Sequence, residues 1–198
     1  IIAQPDWHSA EEMKRLGRPR LAFLISAGNI DSMVNHYTSA KKRRSSDAYT
    51  PGGEAGRRPD RATIVYANRA REAYRGVPVV IGGIEASLRR FAHYDYWDDK
   101  VRRSILADSG ADLLIYGMGE RQIVEIADAL ASGLPIEQVT YTNGTCYMTC
   151  SLEQVYEYEQ IESYEAVARD KKAYASAFMT QYREQDAIRG KRLVQPHG

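Results

Sequence analysis

The side chains that could bind or activate a ligand gather in short stretches, each directly after an apolar run. Residues 27–35, Ala-Gly-Asn-Ile-Asp-Ser-Met-Val-Asn, follow the run at 21–25 and offer Asn29, Asp31, Ser32 and Asn35. At a helix start such groups either hold a polar or anionic ligand beside free backbone N–H groups, or they cap the helix. Gly82-Gly83-Ile84-Glu85-Ala86-Ser87 follows the run at 77–81. The glycine pair either lets the backbone approach a ligand or makes a tight strand-to-helix turn. Glu85 is then a ligand contact or a helix-start charge that complements the dipole, and Ser87 adds a hydroxyl. Gly117, Gly119 and Glu120 stand in the same position after the run at 112–116.

Arg89 and Arg90 could grip a phosphate or carboxylate by forked contacts, or form ion pairs with nearby aspartates. His93, Asp95, Asp98 and Asp99 invite a metal, but their spacing matches no zinc or calcium set. The alternative is a polar network. No metal ligand is assigned. Cys146 and Cys150 are too few for an iron–sulfur cluster or a disulfide framework and read as free thiols. There is no Gly-x-Ser-x-Gly, no Walker loop and no His-Glu-x-x-His, so hydrolase and P-loop chemistry has no support and no catalytic residue is assigned.

Elements must bring these stretches together. The runs at 21–25 and 77–81, and the stretch at 112–116 that is apolar after Asp112, have the pattern of strands covered on both faces. Each ends at a glycine turn before helical spacing begins. The repeated strand–helix order, with connections of crossover length, implies an α/β fold with a doubly wound, mainly parallel sheet. In such sheets ligands bind at the C-terminal ends of the strands.

Finer expectations follow from local signals. Residues 1–4 read as a strand end. Ser9 caps a helix over 10–16, with Glu12 at capping-box spacing, and Asp31 or Ser32 caps one reaching Tyr37. Asp60 caps a helix to Arg75. A helix spans 98–107, and another spans 120–131 with Ile123, Val124, Ala127 and Leu130 as its buried stripe. Residues 140–148 form an edge strand, and 151–189 are mostly helical. The polar loop 39–61 holds Lys41-Lys42-Arg43-Arg44 and is mobile or functional.

The chain has 198 residues and a formal net charge of +1, so no global field points to nucleic acid or a membrane. RNA contact at the basic loop has no interleaved aromatic platform behind it. No apolar run reaches the ~20 residues of a membrane span, and no signal-peptide pattern is present, which favours the cytoplasm. The opening Ile1-Ile2-Ala3 and the closing Gln195-Pro196-His197-Gly198 read as cut points in a longer protein.

The assembled motifs are distinctive. They are the 27–35 stretch, Asp-Ala-Tyr-Thr-Pro at 47–51, Arg-Pro-Asp-Arg-Ala-Thr at 58–63 and Gly-Gly-Ile-Glu-Ala-Ser-Leu-Arg-Arg at 82–90. His-Tyr-Asp-Tyr-Trp at 93–97 and Gly-Met-Gly-Glu-Arg at 117–121 complete the series. It resembles the N-terminal region of the YgiQ-type radical SAM proteins over nearly the whole chain. The resemblance implies a Rossmann-like, cobalamin-binding-type domain over 1–145 and a mainly helical extension over 146–198. That extension would lead toward a radical SAM barrel beyond Gly198. The barrel would carry the three-cysteine motif that holds a [4Fe–4S] cluster and binds S-adenosylmethionine. That motif is absent here, as is the Asp-x-His-x-x-Gly signature of cobalamin domains, which leaves cobalamin without support. The implied role is an inert accessory domain that helps hold an unknown substrate at the barrel mouth. A nucleotide- or RNA-binding module is the alternative.

Overall fold

The computed structural model describes residues 1–186 and 188–197. In chain order the elements are α1 (Glu11–Lys14), β1 (Phe23–Ser26), α2 (Ser32–His36), α3 (Ala62–Ala73), β2 (Val79–Gly82) and α4 (Gly83–Leu88). Then come β3 (His93–Asp95), β4 (Lys100–Arg102), α5 (Ile105–Ser109), β5 (Leu113–Ile115), α6 (Glu120–Ala131) and β6 (Thr145–Cys146). The last are β7 (Tyr158–Gln160), α7 (Tyr164–Arg169), α8 (Lys171–Arg183) and β8 (Arg192–Val194). The chain divides into two compact units, one of residues 1–90 and 105–148, the other of 91–104 and 149–198.

The first unit is built on a four-stranded sheet of order β1-β2-β5-β6. β1, β2 and β5 are parallel, and β6 runs antiparallel on the edge. Side chains alternate between the two faces, so an unbroken apolar run feeds both. Val79, Ile81 and Leu114 pack with Ala67 and Ala70 of α3, Ala86 of α4, and Ile105 and Leu106 of α5. Val80, Leu113 and Ile115 pack with Ile126 and Ala129 of α6, and with Ile136 and Val139. This is the Rossmann-like, mainly parallel α/β architecture. Each fully buried Val, Leu or Ile contributes about 1.5–3 kcal/mol, so these two layers set the stability of the unit.

Several local expectations are overturned. Residues 1–4 form no strand; Gln4 has φ 47° and its side chain bonds the Tyr49 carbonyl and Thr50 Oγ1. α1 starts at Glu11, and Ser9 Oγ accepts only the Glu11 N–H, at 3.4 Å. α3 is not capped by Asp60, because that carboxylate is taken by His36 and Tyr37. On α6 the buried residues are Ile126 and Ala129, while Ile123 and Val124 are exposed. Of the expected stripe, Leu130 packs against this core and Ala127 is half-buried.

The second unit contains the antiparallel β3–β4 hairpin, the parallel β7–β8 pair, α7 and α8. Its core joins Ala92, Ile161, Val167 and Ala177, with Phe91, Val101, Tyr164, Tyr174 and Leu193 against them. The expected helix at 98–107 is mostly this hairpin. Asp95 Oδ1 accepts the N–H groups of Trp97 and Asp98, and Asp99 takes a left-handed φ of 52°. Such side-chain-to-backbone bonds compete with helix and favour a turn. Helix in 151–189 is confined to α7 and α8 among the described residues, with β7 preceding them.

Candidate functional site

The register sets Ser26 beside Gly82, and β5 ends at Ile115 next to them. Three parallel strands therefore release their loops at one end. At that end Gly83 has φ 81°, and a Cβ on it would lie 3.2 Å from the Ser26 Cβ. Only glycine both adopts this φ freely and tolerates the approach. Ser87 then ties α4 to the loop after β5. Its Oγ donates to the Gly83 carbonyl at 2.8 Å and accepts the Gly117 N–H at 3.2 Å. Arg90 donates to the Ser87 carbonyl at 2.8 Å, and its guanidinium lies 5.1 Å over the Tyr116 ring.

Beneath this lip is a buried polar layer. Asp31 caps α2 by accepting from Met33 and Val34, and its other oxygen pairs with Arg89. Arg89 also donates to the Glu85 carbonyl oxygen. The Glu85 carboxylate is 1% exposed and accepts the N–H groups of Ser32, at 2.8 Å, and Thr63, at 2.9 Å. Ser32 Oγ accepts the Ala62 N–H at 3.1 Å. The first turn of α3 thus has donors satisfied by side chains distant in sequence, as orphan N–H groups at a helix start require. Arg61, the residue ahead of it, sits at a left-handed φ of 53°.

The loop 39–61 is latched to the β1 end. Arg58 is buried and makes a forked pair with the buried Asp47, at 3.0 and 3.2 Å, while its Nη1 donates to the Ala27 carbonyl. Burial alone would raise the Asp47 pKa, but the Tyr49 N–H, Arg58 and Thr50 hold it at about 2. Asp60 is likewise subject to burial that raises its pKa, yet Tyr37 and His36 lower it on balance. Basic side chains of the loop are therefore carried on a pinned frame.

Asn29, Gly83, Gly117 and Glu120 lie exposed at or beside the strand ends, and Gly82, Ser87, Arg89, Arg90 and Gly119 are half-buried. Asp31, Ser32, Asn35 and Glu85 are buried. His93 and Asp95 belong to the second unit. There His93 pairs with Arg102 across the hairpin and Asp95 organises its turn. The lip also exposes Ile84, Leu88, Tyr116 and Met118, and Ser26 lines the Gly83 turn. Sequence reasoning does not select these, nor the Asp47–Arg58 latch. The Asp-Ala-Tyr-Thr-Pro and Arg-Pro-Asp motifs were the available signal for the latch.

This end offers backbone groups, hydroxyls, the Asn29 amide, the Arg90 guanidinium, the Glu120 carboxylate and apolar side chains. The carboxylates of Asp31, Asp47 and Glu85 are engaged internally. Burial pushes the Cys146 thiol to about 12, so it stays protonated at neutral pH. Cys150, the other cysteine, is exposed and in the second unit. Among the described residues no group of three or more His, Cys, Asp or Glu could hold a metal. The residues of this chain do not fit a [4Fe–4S] cluster. No helix among the described residues is long and apolar enough to cross a membrane.

The family described as radical SAM N-terminal matches residues 1–198. A UPF0313 protein of Clostridium perfringens is 61% identical over 198 residues, covering all of this chain and 30% of the relative. A UPF0313 protein of Clostridium botulinum is 57% identical over 197 residues, again covering all of this chain and 30% of the relative. No solved structure matches the chain. The chain spans less than a third of these relatives, and with its whole length matched it belongs to the radical SAM N-terminal family.

Proposed function

We propose that this segment is an accessory wall of a radical SAM enzyme. The strand-end lip lies over the mouth of a catalytic barrel in the rest of the full-length protein and helps hold the substrate. Residues 1–145 form the accessory domain, and 146–198 lead toward the barrel. The [4Fe–4S] cluster and S-adenosylmethionine are bound outside this segment, which is inert alone. Cobalamin has no assigned contact here. A cytoplasmic setting accompanies the reading, since both cysteines are free thiols, the state kept in a reducing compartment.

The observation that supports the reading most is the tie between α4 and the loop after β5, made by the Gly117 N–H on Ser87 Oγ. It ties α4, which exposes Ile84 and Leu88, to a loop that exposes Tyr116 and Met118. The test is anaerobic reconstitution of the full-length protein with iron and sulfide. A brown cluster should form, and S-adenosylmethionine should be cleaved to 5′-deoxyadenosine. Leu88→Asp and Met118→Asp, both on the lip, should keep the iron content and change the cleavage rate. Failure to form the cluster or the product removes the enzyme reading, and unchanged cleavage in both variants removes the wall.

A second reading rests on the loop 39–61, where seven basic side chains face three acidic ones. Lys41, Lys42, Arg43 and Arg44 are exposed on the pinned frame. RNA binding there would weaken steeply with salt and disappear when all four become Ser. No binding at low salt removes it.

A further inference from the structure

α8 is apolar on two sides. Tyr174 and Ala177 face inward, onto Ile161 and Val167. Ala175, Phe178, Met179 and Tyr182 recur at i, i+3, i+4 and i+7 on the outside. Phe178 is 55% exposed, Met179 43% and Tyr182 61%. A surface helix of a finished fold buries a single apolar stripe, whereas one apolar all round is covered on every side. Scattered exposed apolar residues need no explanation. Three large ones at packing spacing on one helix are a seat, read by the same spacing that helices use in grooves.

The occupant follows from where the described chain goes. Gln195 is held by the Ala92 N–H and the Glu162 carbonyl. Tyr164 N–H donates to the Pro196 carbonyl at 3.1 Å, and His197 stacks on Tyr164 at 5.3 Å. The chain beyond therefore leaves from beside α7, whose Val167 shares a core with α8. The relatives are more than three times as long as the part matched here. Tethered chain meets such a surface at high effective concentration, with no separate association cost. We infer that the outer stripe of α8 is the docking seat for the C-terminal remainder of the same polypeptide. This rests on the reading of the segment as one part of a longer enzyme.

Methionine oxidation tests it in the full-length protein without a folding-sensitive variant. Dilute peroxide converts an accessible Met to its sulfoxide, and peptide mass spectrometry reads each site. Met179 should oxidise at least about tenfold more slowly in the native protein than in urea. Phe178→Ser with Tyr182→Ser should restore its reactivity. Met179 reacting at near the denatured rate overturns the inference. Protection that grows with protein concentration also overturns it, since a second copy would then be the occupant. Met118 reports the strand-end lip separately. Reactive Met118 with protected Met179 sinks the wall and keeps the seat; the reverse keeps the wall and sinks the seat.

Discussion

Glu85→Gln separates a structural carboxylate from a ligand-binding one. Each Glu85 oxygen accepts one main-chain N–H, from Ser32 at 2.8 Å and from Thr63 at 2.9 Å, in a fully buried setting. Glutamine keeps the volume but turns one acceptor into a donor, so one N–H faces an NH2 group. A hydrogen bond to a charged group is worth about 1.5–3 kcal/mol, and a buried donor left unpaired costs about 1–3 kcal/mol. Relief of the buried charge returns part of this, leaving a net loss of about 2–4 kcal/mol. A domain stability of about 5–15 kcal/mol makes that easily measured. The assay is urea unfolding of the 198-residue chain followed by Trp7 fluorescence. Trp7 packs on the cluster of Met13, Ala27, Ala62 and Tyr66, and Trp97→Phe removes the other tryptophan. A shift below about 0.5 kcal/mol, the range of neutral surface changes, would refute the argument. Lost turnover in the full-length protein at unchanged stability would show a ligand role instead.

Acid should open the loop latch. Asp47 titrates at about 2 in the fold, below its ordinary 3.8, so its contribution is complete above the unfolded value and drains as pH falls from about 4 to 2. One unit is worth about 1.4 kcal/mol, giving about 2 kcal/mol in all, and Asp47→Asn should flatten that part of a stability-against-pH curve. Gly83→Ala must accept both φ 81° and a 3.2 Å approach to Ser26. Its expected cost is about 1–3 kcal/mol by thermal or urea unfolding, and a neutral result would mean that the turn is not constrained. With its thiol at about 12, Cys146 is about one part in ten thousand thiolate at pH 8. Iodoacetamide followed by mass spectrometry should therefore modify Cys150 well ahead of Cys146 in the native chain.

Much of the scaffold was legible because burial on both faces demands unbroken apolar runs. Leu21 to Ile25 and Val77 to Ile81 each overlap a parallel strand that runs one residue further, Asp112 to Tyr116 contains a third, and the α6 boundaries matched. A cap of α2 at Asp31 or Ser32 was legible too, since capping is a contact between near neighbours, and the fold uses Asp31. What failed depends on choices between local options. Asp95 closes a turn where a helix was expected, and Asp60 leaves the α3 start for His36 and Tyr37.

The strand-end layout of the chemistry was thus set by the one-dimensional pattern alone: apolar run, glycine, polar group. Tertiary structure decided which of those polar groups are consumed inside. Glu85 and Asp31 look as available as Asn29 or Glu120 in the sequence, yet main-chain N–H groups and Arg89 claim them. A carboxylate has no fixed partner until the fold brings donors within hydrogen-bond distance. The two N–H donors to Glu85 and the Arg89 partner of Asp31 lie 22 to 58 residues away along the chain, beyond the reach of any local pattern.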